Sequence, residues 1–408
     1  MDIRENIREN NQDRVAELMV MHICLMQCKN MIVSTNSFFY NMNNLLNMAM
    51  IGLLLILYIR FFWKSEAYRY INGRVFVVLV AILSFWLVSC LLDNQLFVNT
   101  EFPYSYVRRQ ALTCISYSIP LYVISSYLDD AGVLLKKLYS AAPIIFGISV
   151  VSFASYLYSS SDVVTRGYSM SFGNQMLLGA AILLFKYLDD EKNKDLIMFI
   201  VTVLLIVAAG SRGPLVSILC LMIYAVFRVR RNRKNIILLF GLFYGMLLCL
   251  IFTEPILRLL GSIFDALGIT SRTLVMILNG KISYASGRGD YHEALLNAIN
   301  SHPLTGLGAF GGEKTVGLAH SLYIDIFANF GYLLGALFII VLVARIISYI
   351  SRNKKSPRAT VIIMFSMLIF PRGFFDETFW AAWYMWIIMG LLVSAQYEKT
   401  GESIQEKT

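Results

Sequence analysis

Apolar residues run through this chain in blocks of roughly 17–25 positions, each closed by a cluster of charged or turn-forming residues. A helix rises about 1.5 Å per residue, so a block of that length crosses a bilayer core of about 30 Å. Such blocks lie near 45–62, 75–92, 110–128, 139–158, 171–188, 195–210, 213–228, 235–253, 320–349, 359–371 and 379–396. One more, at 15–33, is diluted by Glu17, His22 and Lys29. The pattern predicts an all-α, polytopic transmembrane bundle of about twelve spans, or eleven if 15–33 is an interfacial helix. The first fourteen residues are strongly polar and no small-residue cleavage pattern follows, so no cleavable signal peptide is expected.

Composition agrees: 57% of residues are hydrophobic and only 15% charged, which excludes a soluble domain of this length. The net charge of +9 reads as membrane topology and not as a nucleic-acid footprint. Basic loops stay on the cytoplasmic side, and the marker here is "RVRRNRK", Arg228 to Lys234. Alternating sides from that loop puts "RFFWKSEAYRYINGR", "LLKKL", "KYLDDEKNK", "ARIISYISRNKKSPR" and the C-terminal tail inside as well. About two thirds of the Lys and Arg then lie inside. With twelve spans both chain ends are cytoplasmic.

The same alternation divides the chain into an N-terminal bundle over 1–253, a large external loop over 254–319, and C-terminal helices with a cytoplasmic tail over 320–408. A loop of that length is expected to carry function. Two of its stretches, "EPILRLLGSIFDALG" and "DYHEALLNAIN", read as short amphipathic helices. In the second, Tyr291, Ala294, Leu295, Ala298 and Ile299 repeat at helical spacing, with Asp290 as N-cap and Glu293 at the third helical position.

Several motifs carry no chemistry in this context. "GLGAFG" matches G-x-G-x-x-G, but it follows a helix and precedes no βαβ unit. His22, Cys24 and Cys28 complete no ligand set, and the six cysteines fall in predicted spans, so neither a metal site nor a disulfide framework follows. No D-x-D pair faces outward, so no metal and no cofactor is expected. What remains outside is sparse: Arg166 and Asn174 in "TRGYSMSFGNQ", Arg212 in "GSRGP", Arg288 and Tyr291 in "SGRGDYHEA", and His320 in "GLAHSLYIDIF". A charged side chain costs up to about 2.5–3.5 kcal/mol at full membrane depth, so Arg212, wedged between two apolar runs, needs a partner, water or a task.

The series "GSRG", "SGRGDYHEALLNAINSHPLTGLGAFGG" and "AHSLYIDIFANFGYLLG" resembles the O-antigen polymerase and ligase family of bacterial membrane glycosyltransferases. There a helix-flanked Arg, an external-loop Arg followed by P-x-x-G-x-G, and a His opening a long span recur in this order. The resemblance covers about 160 to 345, and "TRGYSMSFGNQ" is similar to the family's external Arg and Gly-Asn segment. Two positions depart: Ser321 follows the His where Asn is common, and Tyr291 stands where Trp is frequent.

The resemblance implies glycosyl transfer between lipid-linked saccharides on the outer face of the cytoplasmic membrane, with a polyprenyl diphosphate leaving. His320 would be the general base; Arg212, Arg288 and Arg166, with Asn174 and Tyr291, would hold diphosphate and saccharide. Arginine suits the task because it stays charged and offers a planar fork to phosphate oxygens. Polymerase is the expected member, since nothing reads as a lipid A core site and polymerases are the more diverse group. Ligase and, from another class, a lipid-linked oligosaccharide flippase or secondary transporter are the alternatives. The expected partners are polyprenyl-diphosphate-linked oligosaccharides, membrane lipid, and a flippase and chain-length regulator of the same pathway.

Overall fold

The structure, a computed structural model, describes residues 3–35, 43–65, 73–92, 105–159, 170–208, 212–228 and 288–405, with isolated positions between 237 and 266. The described residues are helical, with no strand among them. In chain order the helices are α1 (Ile3–Thr35), α2 (Asn43–Ser65), α3 (Gly73–Leu92), α4 (Ser105–Thr113), α5 (Ile119–Ser126), α6 (Ala131–Ser159), α7 (Met170–Asp190), α8 (Asn193–Ala208), α9 (Arg212–Arg228), α10 (Arg288–Ser301), α11 (Gly311–Val316), α12 (Leu322–Arg352), α13 (Pro357–Ile369) and α14 (Trp383–Gln405). A π-helical turn, Cys114–Ser118, joins α4 to α5.

Among the described residues three stretches are long and apolar enough to cross a membrane, Asn11–Ile32, Ala131–Ala154 and Leu322–Arg352, beside shorter apolar helices. The first covers the diluted block at 15–33. The expected span at 235–253 and the first expected loop helix fall largely outside the described residues.

The bundle is organised around α7. Met176 to Phe185 are all buried, so this helix is apolar on every side and has no lipid face. It packs between α6, α8 and α9, and α13 closes the other side. By contrast α2 and α3 leave Leu55, Ile56, Ile59, Phe76, Val77, Leu83 and Leu87 exposed, the sequence signature of helices that face hydrocarbon.

Polar contacts sort the helix termini into two ends. At one end Lys137 of α6 pairs with Asp13 of α1 at 2.9 Å, Arg228 of α9 with Asp189 of α7 at 2.7 Å, and Lys186 of α7 with Asp195 of α8 at 3.4 Å. Arg358, opening α13, donates to the Leu128 and Asp129 carbonyls there. At the other end Gln175 of α7 donates to the Gln27 carbonyl of α1 (2.9 Å), and the Tyr323 hydroxyl donates to the Phe370 carbonyl (2.9 Å). The groups separated by the alternation of basic loops are therefore also separated in space: Lys137, Arg228 and Arg358 lie opposite Asn174 and His320.

The span expected over 320–349 is interrupted. α12 breaks at Gly331, which takes φ 74° and ψ 173°. An unbroken helix would join the Tyr332 N–H to the Ala328 carbonyl. Here Tyr332 N donates to Pro303 O (2.7 Å), and Ala328 O accepts from Leu307 N (2.6 Å). The opened bond is thus satisfied twice by the segment following α10, so no buried backbone group is orphaned. Further along that segment Phe310 N donates to Asn329 Oδ1 (2.8 Å), which also accepts from Trp380 Nε1 (2.7 Å). Ala309 N donates to Ser89 Oγ on α3 at 2.9 Å. The P-x-x-G-x-G segment is therefore a docking strap. Gly306, at φ 68°, has Ala328 O and Phe330 N at 2.8 and 2.9 Å from where a Cβ would stand.

Gly331→Ala would force an L side chain into a left-handed conformation with its Cβ 2.6 Å from the Leu304 carbonyl carbon. It should destabilise the purified protein by about 1–3 kcal/mol or more, read as thermal unfolding in detergent. Gly52→Ala, with nothing within 4 Å, should not. Cysteines placed at exposed Ser301 and Lys192 test the two ends. A membrane-impermeant thiol reagent applied to intact cells should label Ser301→Cys and spare Lys192→Cys.

Candidate active site

His320 stands in the short connection between α11 and α12. Ser321, the N-cap of α12, sets its following neighbour: the Ser321 side chain accepts from Ile324 N. His320 itself adopts φ 50°, a left-handed conformation uncommon for a residue with a Cβ. Ala319 just before it is fully buried against Leu295 and Ile299 of α10, with Val316 and Ala328. Anchored on both sides, the imidazole is left partly accessible at 23% exposure.

Its nearest charged neighbour comes from the other side of the bundle. His320 Nδ1 lies 3.7 Å from Asp376 Oδ1, an ion-pair distance and longer than a hydrogen bond. The other carboxylate oxygen, Asp376 Oδ2, accepts from Asn174 Nδ2 of α7 at 2.5 Å. Burial pushes the Asp376 carboxyl up, but attraction from His320, the Arg372 charge and the Asn174 amide outweigh it and hold it below its ordinary value. Asp376 is therefore a carboxylate throughout the neutral and mildly acidic range.

The loop that carries Asp376 is fixed from within and without. After α13 the chain makes one 3-10 turn, Arg372–Phe374, and Asp376 N donates back to Arg372 O at 3.0 Å. Arg372 is buried, pairs with Glu377 and lies 5.7 Å over the Tyr384 ring. The start of α9 presses on the same loop, since a Cβ at Gly213 would stand 3.3 Å from Arg372 Cγ and 3.7 Å from Phe375 Cβ. Glu377, at φ 112°, is a second non-glycine residue with positive φ beside His320. Each such residue costs about 1 kcal/mol or more, which persists only where the surroundings over-determine the backbone.

Of the residues singled out from sequence, His320 and Asn174 meet on Asp376. Arg212 opens α9 beside the Asp376 loop, and Arg288 opens α10. The side chains of both arginines, and Arg166 as a whole, lie outside the described residues. Tyr291 is 40% exposed and does not join the packed stripe of α10. The helix starts at Arg288, so Asp290 is in its first turn and is not its N-cap. The stripe begins only at Leu295, because Val316, Ala319 and Ala328 meet the second half of the helix. Asp325 makes no contact with His320 and turns inward, accepting from Phe379 N at 2.7 Å. Sequence reasoning missed Arg372, Asp376 and Glu377. Their signal was "PRGFFDE", three charges in a short connection between two apolar blocks on the same side as His320.

Residues 197–339 match the model of the O-antigen ligase family, a stretch that runs from α8 into α12 and includes Arg212, Arg288 and His320. No curated protein matches the chain, and no solved structure does. The chain is all-helical, with spans apolar enough for a membrane and a histidine–carboxylate pair at one end of its bundle. Across residues 197–339 it is similar to the O-antigen ligase family.

Proposed function

We propose that the chain is a polysaccharide polymerase. It joins polyprenyl-diphosphate-linked oligosaccharide repeat units on the outer face of the bacterial cytoplasmic membrane, by metal-independent glycosyl transfer. The observation that carries this reading is the His320–Asp376–Asn174 chain, set at the end of the bundle opposite Lys137, Arg228 and Arg358. Basic termini mark the cytoplasmic side, so the histidine end faces outward.

The geometry suits a single displacement. An imidazole whose Nδ1–H points at a carboxylate presents Nε2 as a free base, and the carboxylate stabilises the imidazolium once it forms. His320 Nε2 takes the proton from an acceptor sugar hydroxyl as that oxygen attacks the anomeric carbon of the donor. The bond from that carbon to the diphosphate oxygen breaks, the electron pair leaves with the polyprenyl diphosphate, and the anomeric centre inverts. Departure of so dense an anion is eased by fixed cations. Arg212, at the helix start beside the Asp376 loop, and Arg288 supply them, with Arg166 and Tyr291 toward the saccharide. Asn174 holds the rear oxygen of Asp376, and the Arg372–Glu377 pair keeps its loop closed.

Reconstituting the protein with one lipid-linked repeat unit tests the reaction. Longer lipid-linked chains support polymerase; transfer only when a lipid A core acceptor is added would make it a ligase. His320→Ala should lower the rate by roughly 10²–10⁴ at normal protein level. Asp376→Asn should also fall by roughly 10² or more, since an amide neither orients nor neutralises the imidazolium. The Asp376 contribution is present above the ordinary carboxylate value, about 3.9, and is lost only as pH falls through its lower folded value. Asp376→Asn should therefore lower the rate across the whole neutral and mildly acidic range.

Arg212→Lys keeps the charge and loses the planar fork, so polymer yield should drop well below wild type, and Arg288→Lys should behave alike. If both grip one diphosphate, the double substitution should cost less than the sum of the two. Wild-type polymer from Arg212→Lys would leave only a generic charge at the membrane edge.

A further inference from the structure

Beneath the reacting pair lie two acidic side chains that the proposed reaction does not use. Glu313 of α11 is 1% exposed and Asp325, in the first turn of α12, is fully buried. Neither oxygen of Glu313 has a hydrogen-bond partner, nor does Asp325 Oδ1; only Asp325 Oδ2 is engaged, by Phe379 N at 2.7 Å. The two helices are in tight contact here, since a Cβ at Gly312 would run into Asp325 Oδ1 and stand 3.3 Å from Ala319 Cβ. Three unsatisfied carboxyl oxygens buried on two helices in contact are too costly as two free charges. A proton on one group resolves the problem, turning one acceptor into a donor for the other.

We propose that Glu313 and Asp325 hold one proton between them, and that the proton-linked pair is a positioning device that keeps the Asp376 loop seated on the helix start bearing His320. The connections run through the backbone. Asp325 lies five residues after His320 and Phe379 three after Asp376, so the Asp325–Phe379 bond ties the two arms of the reacting pair. A proton carried by Glu313 faces Asp325 Oδ1 and leaves Oδ2 a full anionic acceptor for the Phe379 N–H. Loss of the proton sets two buried carboxylates against each other across the α11–α12 contact, and the arms separate.

The pair's surroundings favour retention of the proton. Burial, then the Asp325 charge, push Glu313 well above the usual carboxylate range, against the smaller opposing pull of its own backbone N–H and of the Lys314 charge. The other charged groups on elements packed against α11 are Arg288, Asp290, His292 and Glu293 of α10 and Arg108 and Arg109 of α4. An acid whose folded-state value is raised binds more protons folded than unfolded. Its stabilising effect is therefore full at low pH and is lost as pH rises through the raised value.

The inference rests on His320 and Asp376 being the reacting pair, so its test includes a readout independent of activity. Thermal unfolding of the purified full-length chain in detergent is followed from pH 6 to pH 9.5 for wild type, Glu313→Gln and Asp325→Asn, beside the pH profile of polymer formation. In either variant an amide replaces the shared acid, and Asp325→Asn still offers an oxygen to Phe379 N–H. Relative to both variants, the wild-type unfolding equilibrium should lose up to tenfold per pH unit on the alkaline side, and wild-type activity should fall with it. Glu313→Ala, which offers neither charge nor donor, should lose about tenfold or more in activity at every pH. Identical pH dependence of unfolding in wild type and both amide variants overturns the shared proton, whatever the activity does. A wild-type unfolding temperature that depends on added sodium or calcium, and not on pH, assigns the contact to a cation and overturns it too. The alkaline loss of stability combined with full activity of His320→Ala would leave the pair standing and remove the proposed reaction instead.

Discussion

One opened hydrogen bond organises the end of this molecule that carries His320. Where α12 would join Tyr332 N–H to Ala328 O, Gly331 turns the backbone aside and both groups bond to the strap after α10. Inside a membrane protein an unpaired backbone group costs several kcal/mol, so a helix can break only where another segment fills both vacancies. The strap does so, and further along it is held by Ser89 of α3 and Asn329 of α12. The two features depend on each other: without the break the strap has no ladder to join, and without the strap the break is untenable. The first turns of α12 are thereby set apart from its membrane-crossing remainder, and His320 rides on them.

The pair at the site is assembled from distant segments. Asn174 comes from the central helix, His320 from the approach to α12, and Asp376 from the loop after α13. Trp380 anchors that loop, ringed by Phe85, Trp86, Phe310, Phe330, Phe379 and Trp386. Aromatic rings contribute large contact areas with few rotamers, so this cluster fixes the loop at little entropic cost. A rigid support holds the His320–Asp376 geometry in place, where two residues in left-handed backbone conformations store strain.

Much of this was legible in the order of residues. Apolar block lengths define helices such as α3, α9 and α13, and the alternation of basic loops separates the two ends. A histidine opening an apolar run marked one arm of the pair with Asp376. The glycines around 306–312 were visible as punctuation, but their role was not, because it depends on a backbone partner at Ala328 some twenty residues away. Asp376 escaped for a related reason. A carboxylate becomes informative only when its neighbours are known, and Asn174 is 202 residues distant from it in sequence. Tyr291 was placed on the packed side of α10 by periodicity alone, which cannot register that the helix outruns its neighbours by a turn.

The reacting pair also straddles a boundary. The stretch similar to the O-antigen ligase family ends at 339, so it contains the histidine but neither its carboxylate nor the amide behind that carboxylate. During synthesis the histidine is therefore made before the carboxylate it faces, and the two can meet only once α13 and the loop after it have been added.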